Sequence, residues 1–415
     1  MLKYSDVFVP GGFPRHTYNP RDSWKIEDQI SEVKSNLCKL VTVTGHTKSG
    51  KTVLTRKVLP LNESVWVDGG MVDAEDDLWT SVLEQLDAYT EHHSASESGS
   101  SSTISGKGTA SANFIVAKGE GEVGAEHERN RSTSAGRARK VSNRVAALTA
   151  LREANVPLVI DDFHYLPKNL QGGIVRALKP LVFDGVPVVL IAIPHRRYDA
   201  VRVEREMTGR MLPMTIPTWD EKELSFIPTK GFPLLGIKVP DSIAALISKE
   251  AIGSPHLMQE FCRGIARHIA QSKTKELALD FDPSPIYREV ANTIGRPIFE
   301  KLAKGPRQRS DRVKRTLKSG GEADIYQLVI HALAHLKPDL VTLEYEDLRA
   351  AIREVISGNI PQLHEVARVL KHMATIASTD QSSTPVIDFD ESDKKLHITD
   401  PFFAFYLRWG DVSST

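Results

Sequence analysis

The chain is poor in cysteine, with only Cys38 and Cys262 among 415 residues. Two cysteines cannot make a disulfide framework or, by themselves, a zinc site. Their scarcity suits a reducing compartment. No run of 18 or more apolar residues occurs, which leaves no candidate for a membrane-spanning helix, and the N-terminus shows no leader pattern. Net charge is also missing, because 53 Lys and Arg balance 53 Asp and Glu. Any nucleic-acid affinity must therefore come from a local patch and not from the molecule as a whole. What remains is ordinary globular composition, 40% hydrophobic and 26% charged, in a chain long enough for two or three domains. These absences predict a soluble, cytoplasmic protein.

The most informative run is Gly45-His46-Thr47-Lys48-Ser49-Gly50-Lys51-Thr52, which fits G-x-x-x-x-G-K-[ST] without mismatch. It follows the β-branched segment Leu40-Val41-Thr42-Val43 and precedes Val53-Leu54-Thr55-Arg56-Lys57, which can begin a helix. Such a loop binds phosphate because a strand delivers the chain to a turn, and the turn opens a helix whose free N–H groups meet the anion. Lys51 is expected to reach the β- and γ-phosphates and Thr52 to ligate Mg²⁺, while Gly45 and Gly50 allow torsions and close approach that a Cβ forbids. A chance glycine-rich turn is the alternative, and the strand before and helix after argue against it. The chain is read as binding a nucleoside triphosphate.

Around this loop the chain alternates strands and helices. Residues 1–37 read as a Pro/Gly-rich strap, which either lies across a bound base with Tyr18 or a proline against it or only covers the core, and which includes a helix over 22–35. A second strand is expected at 64–68 and a helix at 78–86. Between about 91 and 138 the composition turns to Ser, Gly, Thr and Glu, which reads as a flexible insertion with a possible Gly-turned hairpin over 112–125. A helix at 141–153 then leads into Val156-Pro157-Leu158-Val159-Ile160-Asp161-Asp162. Apolar residues ending in two carboxylates describe a buried parallel strand whose tip faces the phosphates. Asp161 is assigned to the Mg²⁺ shell and Asp162 to a base or water-orienting position. A helix at 169–181 and a strand at 186–193 end in Pro194-His195-Arg196-Arg197, and a short strand follows at 212–216. This alternation predicts a doubly wound parallel sheet over residues 38–216.

Residues 217–304 read as all-helical, with segments at 220–224, 241–252, 255–271 and 286–304, and Gly253-Ser254-Pro255 starts a helix with proline in its first turn. From Lys301 to Lys318 eight Lys and Arg face one Asp, a local charge of +7. Such a run is a solvated linker or a phosphate-backbone contact. Over 305–415, helices at 322–335, 345–355 and 361–376 precede a hairpin of 386–390 with 395–399. Three helices and a hairpin are the winged-helix pattern, a candidate for double-stranded DNA. Its presumed recognition helix carries Gln362, His364, Glu365, Arg368, Lys371 and His372 and is only mildly basic, so protein packing is the competing use. An apolar helix over 400–409 closes the chain.

The strap, Gly45 to Thr52, Ile160-Asp161-Asp162, Gly253-Ser254-Pro255 and Asp400 to Trp409 together resemble the AAA+/STAND branch of P-loop ATPases, particularly origin-recognition-like and archaeal-type ATPases. The resemblance covers most of the chain apart from the insertion. It implies ATP and Mg²⁺ bound between a sheet domain and a helical lid, ATP hydrolysis, and nucleotide-dependent assembly into a homo-oligomer. It further implies that His195 or Arg196 senses the γ-phosphate, and that Arg210 or Arg205 reaches a neighbour's site. Pro255 and His256 then line the nucleotide from the lid. The chain has His256 where many members have arginine, which implies slow, switch-like turnover, and Asp-Asp where Asp-Glu is usual, which leaves the identity of the catalytic base open. Members of this group often serve mobile-element or antiviral-defence systems.

Three functions follow from the sequence. The first is an ATP-dependent switch engaging DNA or a partner. The second is an ATP-loaded scaffold that recruits a protein effector, with incidental hydrolysis. The third is a P-loop kinase, which lacks an evident acceptor pocket.

Overall fold

The computed structural model describes residues 2–35, 38–88, 91–93, 138–193, 209–272, 275–306, 312–340, 342–379, 385–391 and 393–412. The expected hairpin at 112–125, together with His195, Arg196 and Arg205, lies outside them. Strands β1 (Leu40–Thr44), β2 (Val65–Asp68), β5 (Leu158–Asp161), β6 (Val188–Ala192) and β7 (Met211–Thr215) form a five-stranded sheet in the order β2-β5-β6-β1-β7. Every pairing in it is parallel. One strand, β6, separates the phosphate-loop strand from the acidic strand. The two short strands β3 (Glu91–His93) and β4 (Ala138–Lys140) pair antiparallel at the mouth of the insertion.

Period-two alternation divides the sheet's side chains between two layers. Leu40, Val65, Val67, Leu158, Ile160, Val188 and Leu190 face one side, beneath helices at 75–85, 143–154 and 168–183. Val41, Val43, Trp66, Val159, Val189, Ile191 and Met214 face the other, beneath helices at 26–31 and 51–58. A β-rich run buried on both faces needs apolar residues at nearly every position, and the three central strands supply them.

Helices Glu221–Leu234, Asp241–Glu250, Pro255–Gln271, Ser284–Ile294 and Arg296–Lys304 form the lid. The first runs through Pro228 and Pro233, well beyond the short segment expected at 220–224. The last two replace one expected helix, and the break falls at Gly295, where a Cβ would meet Tyr406 Cβ at 2.5 Å. The helix expected over 22–35 is likewise interrupted at Lys25, whose φ is 49°.

The C-terminal part has helices Ile325–Leu336, Tyr345–Val355 and Leu363–Thr379, with strand β10 (Thr342–Glu344) between the first two. Strands β11 (Ile387–Asp390) and β12 (Lys395–Ile398) complete a three-stranded sheet in the order β10-β12-β11. Helix, strand, two helices and a hairpin are winged-helix topology. The hydrophobic core does not divide at residue 304: lid, winged helix and the strap residues Val7 and Phe8 share one buried cluster. Among the described residues no helix is long and apolar enough to cross a membrane.

Candidate functional site

The site begins at the C-terminal tip of β1. Leu40 to Thr44 are all buried, so the chain leaves the sheet interior at a fixed point and must turn at once. Lys48 (φ 60°) and Gly50 (φ 90°) adopt left-handed conformations, and helix Lys51–Val58 starts directly after them. Lys51 is buried, and its Nζ donates to Gly45 O at 3.0 Å and His46 O at 2.9 Å. Burial pulls its pKa down to about 8, against the pull of Asp162 and Asp161. Thr47 Oγ1 and Ser49 Oγ are buried without a hydrogen-bond partner among the described residues. Two orphaned hydroxyls inside a loop of this shape are groups that a phosphate oxygen would satisfy.

The acidic strand ends beside this loop. Thr52 Oγ1 donates to Asp161 Oδ1 at 3.2 Å, and the same carboxylate oxygen accepts from the Asp162 amide at 2.9 Å. Burial holds Asp161 above the usual carboxylate range. A hydroxyl and a single buried carboxylate facing phosphate space fit Mg²⁺, which keeps most of its shell as water and phosphate oxygen. Among the described residues no group of three or more His, Cys, Asp or Glu could hold a metal by itself.

Asp162 has a φ of 48°, and burial together with Asp161 pushes its pKa up to about 6. Its turn is held by Gly69, where a Cβ would meet Asp162 O at 2.5 Å. His164 is buried, with Nδ1 4.0 Å from Asp162 Oδ1, and lines the same cleft. Asp68, at the tip of β2, pairs in register with Asp161, and its charge further raises both aspartates.

Strap, loop and lid enclose a cleft of about 280 Å³. Thr47, Lys48, Ser49, Gly50, Lys51, Thr52 and Val53 form its floor; Tyr18 and Gly11 come from the strap, and Pro255 and His256 from the lid. The Tyr18 phenol is raised by burial and by Glu27, and its ring stacks on Phe13 at 6.2 Å. The strap is pinned by buried polar bonds. Gln259 accepts from the Val9 amide at 3.1 Å and donates to Thr17 Oγ1 at 2.7 Å.

Residues the sequence did not single out tie the strap to the connector between sheet and lid. Buried Arg21 forms a bidentate pair with Glu223 at 2.9 and 2.8 Å and donates to Pro217 O and Thr218 O. Its guanidinium stacks 4.7 Å from the Trp219 ring, and the Trp219 indole donates to Ser49 O of the phosphate loop at 2.9 Å. The only local hint was the Asp220–Glu223 capping box, whose Glu223 is shared with Arg21.

Arg210 is not brought into the cleft. It precedes β7 at the end of the sheet opposite the phosphate loop, where its guanidinium lies 5.5 Å from the Phe183 ring. Four cations of the basic run are paired within the fold: Arg312 with Asp324 at 2.7 Å, Lys314 with Glu322 at 3.9 Å, Arg315 with Glu365 at 3.5 Å and Lys318 with Glu354 at 3.8 Å. On the recognition helix Lys371 pairs with Glu391 of the wing at 2.7 Å.

No protein-family model matches the chain, and no curated protein matches it in sequence. Solved structures do. A Walker-type ATPase of Pyrococcus abyssi is similar with a TM-score of 0.51 at 13% identity, over 92% of this chain and 94% of that one. Cdc6p from Pyrobaculum aerophilum is similar with a TM-score of 0.46 at 13% identity, over 97% and 96%. The Aeropyrum pernix Orc1 protein, solved in complex with DNA, gives 0.47 at 12%, over 98% and 96%. At such identities the likeness is one of fold. The chain shares the fold of that Walker-type ATPase, here a parallel sheet carrying the phosphate loop, a helical lid and a C-terminal winged helix.

Proposed function

We propose that the protein is an ATP-binding, slowly hydrolysing switch whose nucleotide state sets the position of the lid and winged helix. The observation that carries this reading is the composition of the cleft. Its floor belongs to the sheet domain, while Pro255, His256 and Gln259 belong to a body that shares its core with the winged helix. A ligand there touches both sides of the connector and biases their relative position by whatever differential contact it makes.

Lys51 exchanges two carbonyl acceptors for phosphate oxygens. Thr52 and Asp161 hold Mg²⁺, which when bound offsets charge on the β- and γ-phosphates. Asp162, raised towards neutrality yet ionised at pH 7, accepts a proton from the attacking water. His195 or Arg196 is proposed as the γ-phosphate sensor and Arg210 (or Arg205) as the residue reaching a neighbouring copy, since Arg210 faces away from its own cleft. On this reading the active form is a homo-oligomer. Engagement of double-stranded DNA and a place in mobile-element or antiviral defence belong to the same proposal.

A second reading, an ATP-loaded scaffold for a protein effector, is favoured by the ion pairs that engage four cations of the basic run and Lys371. One experiment separates them: ATP turnover against protein concentration, with and without double-stranded DNA, alongside particle mass. Turnover and mass rising together in ATP support the assembling switch. A flat, near-zero rate on a monomer that retains ATP supports the scaffold.

A further inference from the structure

The closing helix, Pro401–Trp409, packs between the lid and the winged helix. Phe405 packs 5.0 Å from Phe261, and Tyr406 lies 4.6 Å from Phe299. At its far end the Trp409 indole donates to Glu250 at 2.8 Å, and Arg408 reaches the same carboxylate at 3.4 Å. Its near end touches the phosphate loop. Lys48 Nζ lies 5.6 Å from the centre of the Phe402 ring, and the His256 ring meets Phe402 edge-on at 4.8 Å. Asp400, buried just before the helix, caps it by accepting from the Phe403 amide at 2.9 Å. Burial raises the Asp400 carboxyl, and the nearby charges of Lys48 and His256 work against that rise.

Lys48 therefore serves two neighbours. It is part of the loop that would cradle phosphate, and it lines the cleft; it is also the cation over the Phe402 ring. A single ammonium on a flexible stem cannot sit over an aromatic face and on a phosphate oxygen at once. We propose that Phe402 holds Lys48 back from the nucleotide: docking of the closing helix and binding of phosphate compete for the same ammonium. The proposal rests on the ATP-site reading above. Phosphate withdraws Lys48 from Phe402 and loosens the first turn of the helix that packs between lid and wing.

The test is a double-mutant cycle in the full chain, reading affinity for a non-hydrolysable ATP analogue with Mg²⁺. Phe402→Leu is expected to tighten binding about two- to fivefold, the size of one exposed cation–π contact. The same substitution in a Lys48→Gln background is expected to change nothing. Phe402→Trp, which keeps an aromatic face, should restore wild-type affinity. Amide exchange at residues 402–404 should quicken on nucleotide binding in the wild type and not in Lys48→Gln.

Unchanged or weaker binding in Phe402→Leu, or an equal effect in both Lys48 backgrounds, overturns the proposal while leaving the ATP site standing. Failure of the wild-type chain to bind the analogue overturns both.

Discussion

Lys51 allows a prediction whose size follows from its surroundings. In the nucleotide-free loop its ammonium is buried against two carbonyls, and its pKa falls to about 8 from an ordinary 10.5. A bound triphosphate stabilises the charged form, so the pKa in the complex rises. Between these two values binding must take up a proton. At pH 9 about one free molecule in ten carries a charged Lys51, so affinity should be about tenfold weaker than at pH 7, or about 1.4 kcal/mol. Titration calorimetry with a non-hydrolysable analogue, in two buffers of different ionisation enthalpy, measures both affinity and proton uptake. Lys51→Arg stays charged throughout and should flatten the profile.

The stability of the free protein runs the other way. The folded pKa lies below the unfolded one, so the unfolded chain holds more protons between about pH 8 and 10.5, and this residue's contribution makes folding more favourable as pH rises through that window. A dissociation constant constant from pH 7 to 9, without buffer-dependent heat, would refute the reasoning.

Other outcomes follow from the same geometry. Asp162→Asn should leave nucleotide binding intact and slow single-turnover hydrolysis by about 10²–10⁴-fold, the usual worth of a general base; equal turnover sinks that role. Gly69→Ala drives a Cβ into Asp162 O, and thermal denaturation should show a loss of about 1–3 kcal/mol with a parallel fall in turnover. Arg21→Ala removes one partner of a buried bidentate pair, at a cost of about 3 kcal/mol; a midpoint unchanged in urea would mean the strap is not held there. Arg210→Ala should lower turnover only at concentrations where the wild-type rate depends on protein concentration.

Local pattern made the site's centre legible. The phosphate loop, the apolar strand ending in Asp161 and Asp162, and the helix Tyr345–Val355 are each specified by residues adjacent in sequence. What was missed depends on distance. Arg21 meets Glu223 and Lys48 meets Phe402 across hundreds of residues, and no periodicity encodes such pairs. Two prolines argue locally against any helix beyond the expected 220–224, yet burial of Leu224, Ile227 and Phe232 outweighs that penalty and carries the helix to Leu234. Strand β10, three residues long, is too short to show alternation. Arg210 was legible as an arginine before the last strand, but its separation from its own cleft is a property of the sheet's two ends.

The single core shared by lid and winged helix makes these two parts inseparable as building blocks. Deleting the chain after the lid would strip Phe405 from Phe261 and Tyr406 from Phe299, leaving an open apolar wall in place of a shorter soluble protein. A wing borrowed from another protein would have to bring that wall's complement with it. Substitutions on the wing tip and on the exposed side of helix Leu363–Thr379 leave that shared core untouched, so a contact surface there can be altered without refashioning the body that carries it.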